Sequence, residues 1–233
     1  MDYDTQERTG EKKGLDAAGE TNRERPSLSL IESVLLIDDN PDIVALYSRM
    51  VTDCGYAVMT AMNSQESLDA LNKKTPDLIL LDILMKPEDG WKILKKIRAY
   101  PKMSSTPVVM LTAKMPTTRE ILQYSDSIDD YIMKPVTRAG MCDALKRIDA
   151  YRSEISDQLA RAREHGVVSE VLEEYRALTR KKMVLRTMRT YQYGIEEDFR
   201  EYMKQYPDQE TMHCEDMLSE IDKRMKELKP YFE

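Results

Sequence analysis

Glycine, cysteine and histidine are scarce in this chain of 233 residues, which has eight, three and two of them. Few glycines alongside 33% charged residues and 16 methionines fit a soluble, helix-rich protein. Cys54, Cys142 and Cys214 are odd in number and have no metal-like spacing. That argues against a disulfide framework and predicts free thiols in a reducing cytoplasm. His213-Cys214 has no CxxC or second histidine nearby and reads as helix content. No run of about 18 apolar residues occurs and the N-terminus has no hydrophobic signal region, so the expectation is a cytoplasmic protein without a membrane partner. A net charge of −7 argues against a generic polyanion-binding surface, leaving a local basic patch open.

What is present starts at about residue 31. Before it, residues 1–30 are charged and nearly devoid of large aliphatics, which predicts a mobile tail. From Val34 onward, short apolar runs alternate with helical patterns. Val34–Ile37, Tyr56–Ala61, Leu78–Leu81, Pro107–Leu111 and Tyr131–Met133 read as strands. Asn40-Pro41 opens a helix that Gly55 ends, and further helices are expected over Ser64 to Asn72, from Trp91 to Ile97 and over Thr117 to Tyr124. A fifth helix begins near Thr137. Five strands alternating with five helices predict an α/β fold with a doubly wound, five-stranded parallel sheet over residues 31–150.

In such sheets ligands bind beyond the carboxyl ends of the strands, which brings Asp38, Asp39, Asp82, Thr112 and Lys134 to one edge. Asp82 is the awkward member, a carboxylate closing the oily run Leu78-Ile79-Leu80-Leu81. Taken alone it reads as a cap for the next turn. Three carboxylates so close repel one another, and a divalent cation relieves that; an oxygen-only shell suits Mg²⁺. A metal-assisted carboxylate can attack a phosphoryl group and form an aspartyl-phosphate. The lysine ammonium and threonine hydroxyl then face the phosphoryl oxygens, where transition-state charge lies.

With these residues in order, joined by Lys86-Pro87-Glu88-Asp89-Gly90 and by Tyr131-Ile132-Met133-Lys134-Pro135, the segment from Val34 to about Ile148 resembles the receiver domain of two-component response regulators. The loop that follows Asp82 is similar in style to receivers of methanogenic archaea. The resemblance implies a flavodoxin-like fold, with Asp82 as the phosphoacceptor served by a sensor histidine kinase. It implies that Asp38, Asp39, Asp82 and the backbone carbonyl of Leu84 hold Mg²⁺. Thr112, Ala113 and Lys134 would contact the phosphoryl group, with a cis bond between Lys134 and Pro135. Thr112 and Tyr131 would form the switch pair, altering the surface made by the fourth helix, fifth strand and fifth helix. Leu84 and Lys114 occupy positions that tune hydrolysis in the family, and Leu84 offers no group to orient water, so slow self-dephosphorylation is expected. Such a domain is a signalling phosphoacceptor and not an enzyme. Departures from the family pattern are Ser127, where a glycine is usual, and Pro87, one place later than usual.

Residues 151–233 show no strand-like run. The fifth helix has no clear stop before His165-Gly166 and carries Met141, Ala144, Leu145, Ile148, Tyr151, Ile155 and Leu159 on one stripe. A second long helix is expected from Val168 to Tyr193, a shorter one from Ile195 to Tyr206 and a last one from Thr211 to Leu228. This all-α region predicts a small bundle, or a coiled coil completed by a homodimer or a helical protein partner. Arg176, Arg180, Lys181, Lys182, Arg186 and Arg189 share one helix. They read as a solvated face beside an acidic neighbour such as Glu196-Glu197-Asp198, with DNA phosphate contact as the alternative. Catalysis there is disfavoured, because only His165 and His213 are present and no acid-base pair is clustered.

Overall fold

The computed structural model describes residues 29–193 and 209–232. Five strands, β1 (Ser33–Ile37), β2 (Ala57–Ala61), β3 (Leu78–Leu81), β4 (Val108–Thr112) and β5 (Asp130–Met133), form one parallel sheet in the order β2-β1-β3-β4-β5. The helices are α1 (Pro41–Asp53), α2 (Ser64–Lys73), α3 (Gly90–Ala99), α4 (Thr118–Tyr124), α5 (Arg138–Glu164), α6 (Ser169–Tyr193) and α7 (Gln209–Leu228). The chain reverses its winding direction between β1 and β3, which opens a crevice at their carboxyl ends.

Strand residues alternate between two cores. Val34, Leu36, Leu78, Leu80, Val109, Leu111 and Ile132 meet Tyr47 and Val51 of α1 and Met141, Leu145 and Ile148 of α5. Leu35, Ile37, Ile79, Leu81, Met110 and Tyr131 point the other way, onto Ile93, Leu94 and Ile97 of α3 and Ile121 of α4. β1, β3 and β4 are therefore buried throughout, as a sheet covered on both faces requires. Each helix of this region starts on a side-chain cap: Asn40, Asn63, Asp89, Thr117 and Thr137 accept backbone N–H groups of the first turn. Those caps fix where the chain leaves the sheet edge.

α5 runs 27 residues through position 150 without interruption, and Gly166 at φ +82° turns the chain into α6. The second core continues past the sheet: Val184, Leu185 and Met188 of α6 and Cys214, Leu218 and Ile221 of α7 join it. The C-terminal helices thus pack on the chain's own sheet domain, over β5 and α4. Near the α5–α6 turn a third cluster forms from Leu159, Ala162 and Leu172, with Tyr175 stacked on Phe232 at 3.8 Å. The expected helix at Ile195 to Tyr206 and most of the expected N-terminal tail lie outside the described residues. Ser29, Leu30 and Ile31 are anchored: the Ser29 hydroxyl and the Leu30 and Ile31 amides donate to Asp149 at 2.6, 2.8 and 3.2 Å.

One expectation is corrected. Cys54 and Cys142 are bonded to each other across 88 residues, and Cys214 is buried on α7. Cys54 caps the C-terminus of α1 and Cys142 lies in the first two turns of α5, helices that pack side by side on one sheet face. Their spacing along the chain gives no sign of this meeting. The bridge removes the ground for reading a reducing compartment from the cysteines. Among the described residues no helix is long and apolar enough to cross a membrane.

Candidate functional site

Asp38 and Asp39 follow β1, and Asp82 follows β3, on the two strands that flank the crevice. The ladder extends to them: the Asp82 amide donates to Ile37 O at 2.9 Å and the Asp38 amide to Ala61 O at 3.1 Å. Their side chains are thereby aimed into one pocket, with Asp38 2% and Asp82 4% exposed. Oxygens of Asp38, Asp39 and Asp82 all lie within 4.8 Å of one another. Backbone amides hold two of the carboxylates: Asn40 N–H reaches Asp38 Oδ1 at 3.0 Å, and Lys86 N–H reaches Asp39 Oδ2 at 3.0 Å.

Lys134 leaves the end of β5 before a cis bond to Pro135, and its amide donates to Thr112 O at 2.7 Å. Its ammonium lies 2.5 Å from Asp38 Oδ2 and 3.0 Å from Asp82 Oδ1. Burial pushes the Asp82 carboxyl up; Lys134 opposes the shift, repulsion from Asp38 and Asp39 adds to it, and the net is upward. For Lys134, burial alone lowers the ammonium, but its two carboxylate partners outweigh that and raise it. One ammonium thus faces three carboxylates, a local excess of negative charge. Three convergent oxygen donors with that excess fit a hard divalent cation such as Mg²⁺.

Thr112 ends β4, fully buried, and Ala113 beyond it is exposed. The Thr112 hydroxyl is turned into its own loop, accepting from Lys114 N–H at 3.1 Å and donating to Lys114 O at 3.4 Å. Lys114 Nζ lies 3.6 Å from Glu120, which closes the capping box of α4 with Thr117. Leu84 is 55% exposed on the loop after Asp82. The Tyr131 ring is fully buried and turned inward among Ile121, Val184, Leu185 and Met188, and its hydroxyl has no hydrogen-bond partner among the described residues.

Several residues that shape this site carry little or no sign of that role in the sequence. A Cβ on Gly90 would lie 2.0 Å from the backbone oxygen of Asp82, so only glycine lets α3 start against that strand end. Trp91 stacks on Tyr124 at 4.1 Å and donates from Nε1 to Glu120 at 3.3 Å, tying α3 to α4. Asp130, wholly buried at the start of β5, accepts from Arg147 at 2.9 Å. Gly90 at the close of a loop was the one sequence signal; the others depend on which helices become neighbours.

The basic run on α6 is divided. Arg180 donates to Asp126 O at 3.1 Å and lies 3.9 Å from Asp129; Lys181 lies 3.6 Å from Asp126; and Lys182 pairs with Asp222 of α7. Arg176, Arg186 and Arg189 are exposed. The acids that face this helix are therefore those of the β4–β5 connection and α7, while Glu196-Glu197-Asp198 lie outside the described residues.

Compared with known proteins, residues 34–146 match the family model of the response regulator receiver domain. A probable transcriptional regulator ycf27 of Porphyra purpurea is 33% identical over 122 residues, 51% of this chain and 49% of that protein. The alkaline phosphatase synthesis transcriptional regulatory protein PhoP of Bacillus subtilis is 34% identical over 125 residues, 54% and 51% of the two chains. The chain thus spans about half the length of these curated relatives. A crystal structure of the N-terminal domain of a response regulator receiver protein from Methanoculleus marisnigri JR1 is 43% identical, with a TM-score of 0.43, and covers 49% of this chain and 94% of that one.

Proposed function

From the chain's membership of the response regulator receiver domain family, held through residues 34–146, we infer that it is the phosphoacceptor of a two-component relay with Asp82 as the acceptor. The observation that carries this is the buried Asp82 carboxylate beside Asp38 and Asp39 with the Lys134 ammonium 3.0 Å away. The donor is a phosphohistidine of a sensor histidine kinase. An Asp82 oxygen forms the new O–P bond as the P–N bond to the donor histidine breaks, and the imidazole leaves with the electron pair. Asp38, Asp39 and Asp82, with the Leu84 carbonyl by the family resemblance, would hold Mg²⁺, which would supply charge neutralisation. Lys134 releases Asp82 and takes up the phosphoryl oxygens. Thr112 exchanges its Lys114 contacts for the same oxygens. The chain performs no turnover on a separate substrate, and the apolar, exposed Leu84 leaves self-dephosphorylation slow.

Output runs through α6. Its Tyr191 hydroxyl accepts from Met133 N–H at 3.4 Å, one residue before Lys134, and its Val184, Leu185 and Met188 share a core with Tyr131. Movement of Thr112 and Tyr131 alters the seat of α6 and so frees or holds the C-terminal helices for a protein partner or a second copy. DNA binding is the second reading, favoured by the exposed Arg176, Arg186 and Arg189 and by the names of the relatives. The test is intact-mass spectrometry of the full chain with acetyl phosphate and magnesium chloride. One phosphoryl group is expected on the wild type and none on Asp82→Asn; equal labelling of both overturns the reading. Salt-steep DNA binding lost on neutralising Arg176, Arg186 and Arg189 would move the output to DNA.

A further inference from the structure

Tyr47 and Lys134 are 87 positions apart, yet the Lys134 ammonium lies 5.7 Å from the centroid of the Tyr47 ring. Tyr47 is buried in the middle of α1, in the core with Leu36, Leu111, Ile132 and Met141. A ring packed on so many sides cannot swing away without opening that core. The same ammonium is bound by Asp38 and Asp82. Those two contacts belong to the reacting groups: both carboxylates change partners when a phosphoryl group arrives. The ring is the neighbour whose place and charge stay the same throughout.

A lysine side chain has a long flexible stem, and fixing its ammonium costs rotamer entropy. An aromatic face beside it lowers that cost in two ways. Its bulk closes the rotamers that lead toward α1, and its negative quadrupole attracts the ammonium. We propose that Tyr47 is a positioning residue for Lys134, holding the ammonium over the phosphoacceptor before and after transfer. The proposal rests on Asp82 being that acceptor. The ring does the holding and the hydroxyl is dispensable, so phenylalanine at this position serves equally well.

The test uses the full chain and acetyl phosphate with magnesium chloride. In that reaction an Asp82 oxygen bonds to phosphorus as the P–O bond breaks, and acetate leaves with the electron pair. The initial rate of phosphorylation is read by intact mass for the wild type, Tyr47→Phe, Tyr47→Leu and Tyr47→Met, the last being an unbranched filler should leucine unfold the chain. Tyr47→Phe is expected to match the wild type, and the aliphatic variants to fall about two- to five-fold, the range of one cation–π contact. A second readout is the Lys134 side-chain proton shift in labelled protein, which a ring current displaces upfield. That displacement is expected in the wild type and Tyr47→Phe, and lost in the aliphatic variants. Aliphatic variants with wild-type rates, or a Tyr47→Phe rate as low as theirs, overturn the proposal, as does a Lys134 shift indifferent to the ring. Labelling of Asp82→Asn would instead sink the acceptor assignment itself, so the two failures are told apart.

Discussion

Asp77 and Asp82 bracket β3, and their carboxyls shift in opposite directions. Burial pushes Asp77 up, but hydrogen bonds from the Ser33 hydroxyl and amide at 2.8 Å each and from Glu32 N–H at 3.1 Å outweigh it, leaving the group below 3.8. Its contribution to stability is present above 3.8 and lost as pH falls through the lower folded value. Asp77→Asn should therefore flatten the acid limb of thermal stability below about pH 4, as calorimetry across pH would register. Asp82 is raised, so ionising it opposes folding: stability is lost as pH rises from 3.8 through the folded value. In chelator, Asp82→Asn should melt above the wild type at pH 7 and lose that advantage below pH 3.8. Gly90→Ala should cost about 1–3 kcal/mol in urea unfolding and slow phosphorylation, because the new Cβ displaces the Asp82 backbone. Asp38, Asp39, Asp82, Thr112 and Lys134 were legible because each closes a hydrophobic strand, and strand ends in a parallel sheet share an edge. Gly90 is signalled only by its place at the close of a loop and Tyr47 not at all as a site residue, since their importance is a distance in space that periodicity does not encode.

At the scale of elements, the first ten alternated as the apolar runs indicated, and the caps at Asn40 and Thr117 fell where the side chains allow them. α6 was harder to read. Helical spacing places Val171, Tyr175, Leu178, Leu185 and Met188 on one apolar side, whereas Leu172, Thr179, Val184, Leu185 and Met188 are the buried positions. The cause is a change of neighbour along the helix. Its first turns meet α5 near Leu159 and Ala162, and later turns meet β5 and α7, so no single stripe spans it. The α1–α5 bridge was invisible for a related reason: two helices 88 residues apart become adjacent only once the sheet has formed. Replacing Cys54 and Cys142 with serine should lower stability by about 2–4 kcal/mol, and a reductant should bring the wild type to the same urea midpoint.

For the whole molecule, the C-terminal helices are docked on the sheet domain, and under the proposed function phosphorylation and docking would be two views of one equilibrium. If the phosphorylated site loosens α6, an undocked α6 must in turn ease phosphorylation. Leu185→Ala should cost about 2–5 kcal/mol, speed hydrogen exchange in α6 and β5, and raise the fraction phosphorylated at a fixed acetyl phosphate concentration. An unchanged fraction, with exchange accelerated, would separate the receiver from its helices. The length of α5 adds a mechanical side to this. Its first turn is capped by Thr137, three residues after Lys134, and its 27 residues continue unbroken to Glu164. At 1.5 Å per residue that is a lever of about 40 Å, and a tilt of about 5° at its base carries its tip roughly 3.5 Å. The tip bears the turn into α6, so a displacement too small to disturb the sheet is magnified to more than half a helical turn where the C-terminal helices begin.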